Sequence, residues 1–100
     1  MILAFDIGGS RIRAAAWDGA DLRPLGEVPT PLGDKAAFTR AIAGFVAGKG
    51  ARGIAISIAG VVDPVSGVGK VANIPAIDGL ALGPELEAAL GLPVLVLNDA

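Results

Sequence analysis

Apolar and polar positions change period along the chain, and the changes mark out its elements. Ile2 to Ile7 is a short apolar run closed by Gly8-Gly9, which predicts a buried strand and a tight turn. Beyond the turn, Arg11, Arg13 and Ala15 alternate with Ile12, Ala14 and Ala16 as far as Trp17, a period of two with one charged and one apolar face. That pattern predicts the return strand of a hairpin. Asp18-Gly19-Ala20-Asp21 supplies a second turn, and Leu22 to Val28 predicts a third antiparallel strand, stopped by Pro29 and Pro31. The spacing then lengthens: Phe38, Ile42, Phe45 and Val46 share one face of a helix capped by Asp34 and ended by Gly48 and Gly50. Ile54 to Ala59, apolar on both faces except at Ser57, predicts a strand buried between layers. Asp63-Pro64-Val65-Ser66-Gly67 is turn chemistry, Val68 to Val71 offers a brief pairing, and Asn73-Ile74-Pro75 leads into a loop. Pro84 in a first turn and Gly91 just past a last one predict a short helix over Pro84 to Leu90. Val94 to Leu97 predicts a last buried strand, which delivers Asn98 and Asp99 at its C-terminal end, where open α/β sheets place ligands.

The order β-β-β-α-β-(β)-α-β predicts an α/β domain on a twisted mixed sheet, antiparallel strands first and parallel strands after, with helices Asp34–Gly48 and Pro84–Leu90 packed on it. Its 100 residues, 53% of them hydrophobic, suffice for one packed domain and show no repeat or low-complexity segment. Eight basic and ten acidic residues give a formal charge of −2 with no basic run, which argues against nucleic acid as a partner. With 0 His and 0 Cys, disulfides, thiolate nucleophiles, imidazole bases and Cys/His metal sites are excluded from this chain. Chemistry here falls to carboxylates, hydroxyls and backbone amides. The longest nearly apolar stretch, Ala88 to Leu97, is too short to cross a bilayer and is broken by Gly91 and Pro93. The start Met-Ile-Leu-Ala-Phe-Asp lacks a basic n-region, so no membrane partner and a cytoplasmic location are expected. No helix follows the last strand to cover it, which reads as a first lobe rather than a whole molecule.

Asp6-Ile7-Gly8-Gly9-Ser10 sets a carboxylate at a strand end, two residues without side chains in the turn, and a hydroxyl on the return. Such a turn lets backbone N–H groups approach phosphate oxygens while the Asp holds a hydrated Mg²⁺. It serves equally as a plain tight hairpin with Asp6 bonded to its amides. It is not the GxGxxG fingerprint, since the third Gly is absent and a strand follows. Asn98-Asp99 pairs an amide that can fix an alcohol with a carboxylate that can accept its proton, or simply ends a strand. Asn73 can read a sugar hydroxyl through its amide or cap an Asx turn. Glu85 and Glu87 are explained by a helix first turn, Asp63 and Asp78 by turns, and Arg11 and Arg13 by the solvated face of an edge hairpin, although Arg11 can also help neutralise phosphate.

Taken together, Asp6-Ile7-Gly8-Gly9-Ser10, Ile58-Ala59-Gly60-Val61-Val62-Asp63-Pro64 with Gly67, Ala72-Asn73-Ile74-Pro75, and Leu90-Gly91-Leu92-Pro93 with Asn98-Asp99-Ala100 resemble the first lobe of a ROK-family sugar kinase, over the whole chain. The resemblance implies an actin-like, ribonuclease-H-like fold, of which residues 1–100 are the incomplete N-terminal lobe, the second lobe being absent. It implies ATP-dependent phosphorylation of a hexose or N-acetylhexosamine. Asp6 then matches the carboxylate near Mg²⁺, held through water, and Gly8, Gly9, Ser10 and Arg11 the first phosphate loop. Asp99 matches the catalytic base, Asn98 and Asn73 positions that hydrogen-bond the sugar, and Gly60 a backbone position lining the sugar pocket. The family's loop usually reads Thr-Lys where this chain has Ser10-Arg11; hydroxyl and charge are kept, but Arg is planar and bulkier. The Cys/His zinc site of many members cannot lie within this chain. The full-length protein is expected to be active, the isolated 100-residue fragment inactive, and a homo-oligomer is possible. Two other readings go with the resemblance. One is the non-catalytic, sugar-sensing body of a ROK-type regulator, disfavoured because a strand at Ile2 leaves no room for a preceding helix-turn-helix. The other is a kinase of a more distant branch, such as the glycerol and xylulose kinases, disfavoured by the Gly60 to Pro64 and Asn73 to Pro75 segments.

Overall fold

The computed structural model describes residues 1–71 and 73–98, with Asn98 described by its backbone alone. The period-2 segments form an antiparallel meander of β1 (Ile2–Ile7), β2 (Arg11–Trp17) and β3 (Leu22–Pro29). β3 reaches Pro29 and contains Pro24, which it tolerates because it lies at the sheet edge, where a missing N–H breaks no ladder. Helix α1 (Lys35–Val46) starts where the Asp34 carboxylate accepts the N–H groups of Ala36 at 2.9 Å and Ala37 at 3.2 Å. The chain continues through β4 (Gly53–Ile58), the short strands β5 (Val61–Val62) and β6 (Gly69–Lys70), helix α2 (Leu82–Leu90) and β7 (Val94–Asn98). α2 stops at Gly91, whose φ of 72° lets its N–H reach the Glu87 carbonyl without a Cβ penalty.

The main sheet has the order β3-β2-β1-β4-β7, with β1/β4 and β4/β7 parallel. From β1 to β4 to β7 the crossovers step in one direction, so crossovers of constant hand put both helices on the same face. The packing agrees: Phe38 and Ile42 of α1 and Leu82 and Leu86 of α2 join Leu3, Phe5, Ile7, Ile54, Ile56 and Ile58 in one core. Phe45 meets Phe5 edge-to-face with ring centroids 6.0 Å apart. Burying a side chain such as Phe38 or Ile42 contributes about 1.5–3 kcal/mol.

Two expectations need correction. β4 and β7 are not buried between layers, because no described element covers the other face. There Leu95 and Leu97 are 57% and 55% exposed, so the continuous apolar sequence of β7 resolves into Val94 and Val96 inward and two leucines outward. The brief pairing expected at Val68 to Val71 is present: β6 pairs with β5 through Val61↔Lys70 and Val62↔Gly69, folded over the Asp63 turn. α2 begins two residues before Pro84, at Leu82, which moves Glu87 out of the first turn; its carboxylate instead accepts the Val94 N–H at 3.2 Å, while Glu85 pairs with Lys35 at 2.8 Å.

Candidate functional site

The open face carries the polar residues. Register partners Glu27, Arg13, Asp6 and Ser57 form a row across β3, β2, β1 and β4. Just beyond it β1 ends in the Gly8-Gly9 turn, which the main chain closes with Gly8 N–H donating to the Arg11 carbonyl at 3.0 Å. A second clamp comes from Thr30, whose hydroxyl donates to the Gly8 carbonyl at 2.8 Å and whose N–H donates to the Ser10 carbonyl at 3.0 Å. Thr30 is 8% exposed and is the buried polar residue among the described residues. Nothing in its local sequence marked it, because the contact spans 22 residues.

With the turn fastened this way, the N–H groups of Gly9 and Ser10 have no partner among the described residues. Adjacent free amides of this kind make a concavity for anions. Gly9 and Ser10 line a cleft of about 430 Å³ together with Asp6, Gly8, Arg11 and Arg13. All five residues predicted from sequence for the phosphate side are thus in one place, with Arg13 added. Arg11 Nη1 lies 2.9 Å from Glu27 Oε1 and Arg13 Nε 3.2 Å from Glu27 Oε2. At their exposure these pairs add little stability, but Glu27 holds two guanidiniums along the cleft and leaves most of their donors free. Glu27 was legible only through its place opposite Arg13 in the register.

Asp6 is exposed and its carboxylate makes no hydrogen bond among the described residues. The turn aspartates behave otherwise. Asp63 accepts the N–H of Ser66 and of Val65, and Asp18 those of Asp21 and Ala20, and these bonds hold both carboxyls below the usual carboxylate pKa. Asp78, read as a turn former, also accepts the Val71 N–H at 2.8 Å and so fastens the loop that carries Asn73.

That loop is pinned by Val71, Ile74 and Ile77, all buried, and by the Ala76 N–H donating to the Leu32 carbonyl at 2.8 Å. Asn73 stands exposed between these anchors, and it caps no turn among the described residues. It lies against the phosphate turn: a Cβ built on Gly9 would sit 2.7 Å from Asn73 Nδ2. Gly60 lies against the base of the same loop, where an added Cβ would sit 2.8 Å from the Lys70 carbonyl oxygen. β1, β4 and β7 end level, with Ile7 opposite Ile58 and Ile58 opposite Asn98, so the turn, Gly60 and the end of β7 share one edge of the sheet. Asp99, the predicted base, lies outside the described residues, as does the side chain of Asn98.

As to ions, no group of three or more acidic residues that could hold a metal occurs among the described residues. Mg²⁺ needs no such group: it keeps several waters and takes one or two carboxylates plus substrate phosphates. An uncommitted Asp6 beside an anion concavity fits that demand.

Comparison with known proteins gives the arrangement its context. The chain is 37% identical to the N-acetyl-D-glucosamine kinase of Vibrio cholerae, over 100% of this chain and 35% of that protein. A ROK family glucokinase from Streptomyces griseus, solved with glucose and AMPPNP, superposes with a TM-score of 0.81 at 29% identity, covering 99% of this chain and 33% of that one. The relatives are ROK-family sugar kinases. No family model matches the chain. It spans about a third of the length of the curated relatives it matches. ROK architecture is not confined to kinases: a ROK family transcriptional regulator, a homologue of the E. coli MLC protein, superposes with a TM-score of 0.81 at 26% identity, over 98% of this chain and 27% of that one. No helix among the described residues is long and apolar enough to cross a membrane.

Proposed function

We propose that this chain is the N-terminal lobe of a two-lobe sugar kinase that transfers the γ-phosphoryl group of ATP to a hydroxyl of a hexose or N-acetylhexosamine. The observation that carries the reading is the cleft around Asp6 to Arg11, with two free turn amides and Asn73 packed against its rim. The relatives named as kinases of N-acetylglucosamine and glucose support it.

In this reading the Gly9 and Ser10 amides and the Ser10 hydroxyl bind phosphate oxygens, and the Arg11 and Arg13 guanidiniums offset their charge. Gly8 shapes the turn; its own N–H is engaged by the Arg11 carbonyl. Asp6 would hold Mg²⁺ through water, and the ion would supply charge neutralisation on the phosphates. Asn73 and Asn98 fix sugar hydroxyls, Gly60 lines the pocket with main chain, and Asp99 accepts the proton as the hydroxyl oxygen attacks phosphorus and ADP departs. An ordinary aspartate, with a pKa near 3.9, suffices for this. In a loose transition state the nucleophile gains little charge early, so aiming the hydroxyl matters more than basicity.

The regulator retains this architecture, so the second reading is a body that binds sugar without turning it over. The deciding experiment is ADP release by the full-length protein with ATP, Mg²⁺ and either glucose or N-acetylglucosamine. Sugar-dependent release is expected, and Asp99→Asn lowers kcat roughly 10²–10⁴-fold with little change in KM. Sugar binding without ADP release selects the regulator.

A further inference from the structure

Gly9 belongs by sequence to the phosphate turn, yet what its missing Cβ accommodates is the sugar-side residue. A Cβ at position 9 would lie 2.7 Å from Nδ2, 3.3 Å from Cγ and 3.5 Å from Cβ of Asn73. Only the amide end of Asn73 stands in the way; its Cβ is at ordinary contact distance. Gly9 is not among the glycines with positive φ, so alanine is free to adopt its backbone conformation. The cost of a side chain here is therefore a displaced Asn73 amide rather than a strained turn.

Gly60 provides the contrast. A Cβ there would meet the Lys70 carbonyl oxygen at 2.8 Å and Val71 Cγ2 at 3.1 Å, which are backbone and buried core. Those atoms belong to the β6 end and to Val71, which Asp78 holds in place. Gly60 thus sets the height of the loop base, and Gly9 the angle of the amide at its tip. On the far side of Asn73 the loop is anchored by Ile74 and Ile77, both buried.

We propose that Gly9 is a positioning residue for the sugar: the bare Cα of the phosphate turn is the surface against which the Asn73 amide is set, so nucleotide-side and sugar-side loops share one contact. This rests on the sugar role given to Asn73 above. Rotating the amide away loses about one neutral hydrogen bond to the sugar, whereas the turn amides that face phosphate stay where they are.

The test uses the full-length protein and three variants, Gly9→Ala, Asn73→Ala and the pair. Expected for Gly9→Ala is a sugar KM raised roughly 3- to 10-fold, the equivalent of one neutral hydrogen bond, with a smaller change in ATP KM and an unchanged Tm. In the Asn73→Ala background the amide is gone, and Gly9→Ala should add nothing to sugar KM. The crystal structure of Gly9→Ala should show the Asn73 side chain turned away with its backbone in place. Effects on sugar KM that multiply in the double variant, an effect on ATP KM alone, or an Asn73 amide that has not moved would each overturn the proposal. Calorimetry with glucose and N-acetylglucosamine carries the same comparison without turnover. A wild type that binds sugar but releases no ADP refutes the kinase reading, and a Gly9→Ala variant with undiminished sugar binding refutes this one.

Discussion

Asp6 and Asp63 both stand where a strand gives way to a glycine-containing turn, and they do opposite things with their carboxylates. Asp63 Oδ1 takes the N–H groups of Val65 at 2.8 Å and Ser66 at 2.9 Å, so the side chain is part of the turn. At Asp6 the turn is closed without the carboxylate, by the Arg11 carbonyl and by Thr30. A carboxylate consumed by backbone amides is held in one orientation with its acceptors occupied; one left out of its turn keeps them for a ligand. Asp18 and Asp34 follow Asp63 in this respect. Among these aspartates a turn sequence alone does not separate the two kinds, but the hydrogen bonds do.

The sharpest way to break the contrast is Asp6→Asn in the full-length protein. Loss of a preorganised charge at the phosphates should lower kcat/KM for sugar phosphorylation roughly 10²–10³-fold while Tm stays put. A lowered Tm with undiminished turnover would return Asp6 to the turn formers. Next in size is Asp78→Ala, which leaves the N–H of the buried Val71 without its acceptor. Urea unfolding should show a loss of about 1–3 kcal/mol, and sugar KM should rise as the Asn73 loop loosens. Asp34→Ala removes a helix cap and should cost about 1 kcal/mol in the same assay without touching turnover.

The smallest effect lies in acid. Because backbone N–H groups of Ser66 and Val65 lower the Asp63 pKa in the folded state, the folded protein resists protonation there more than the unfolded chain does. Its contribution is fully present above about pH 4 and disappears as pH falls through the lowered folded value. Asp63→Asn, neutral at every pH, should therefore lower Tm slightly near neutrality and converge with the wild type in acid, which flattens the acid limb. An unaltered acid limb would mean that the turn bonds do not discriminate between the carboxylate and its neutral amide.

The meander and both helices were legible because each is written in local periods: the alternation in Arg11 to Trp17, the Phe38/Ile42/Phe45 stripe, and the cap and stop residues Asp34 and Gly91. β7 misled because Val94-Leu95-Val96-Leu97 is apolar at every position, and sequence cannot tell a strand covered twice from one covered once. The glycine turn was found by composition, but its clamp by Thr30 and the lock of Asp78 on Val71 were not, since a hydroxyl or a carboxylate carries no local sign of its distant partner. The shared contact of Gly9 and Asn73 was invisible for the same reason. Glycine reads as a turn residue whether its freedom or its lack of bulk is what matters.

β1 also decides the order in which this fold can assemble. On one side it pairs with β2, Ile7 meeting Ile12 a few residues away; on the other it pairs with β4, Ile7 meeting Ile58 half a chain later. Hairpins close within about 1–10 μs, while parallel pairing must first meet the entropy of closing a long intervening loop. Synthesis from the N-terminus lengthens that interval, since the hairpin can form long before β4 has been made. The contacts that shape the Gly8-Gly9 turn thus lie within the first 30 residues, whereas its contact with Asn73 spans more than 60, so a side chain at Gly9 would burden the long-range docking step rather than hairpin closure.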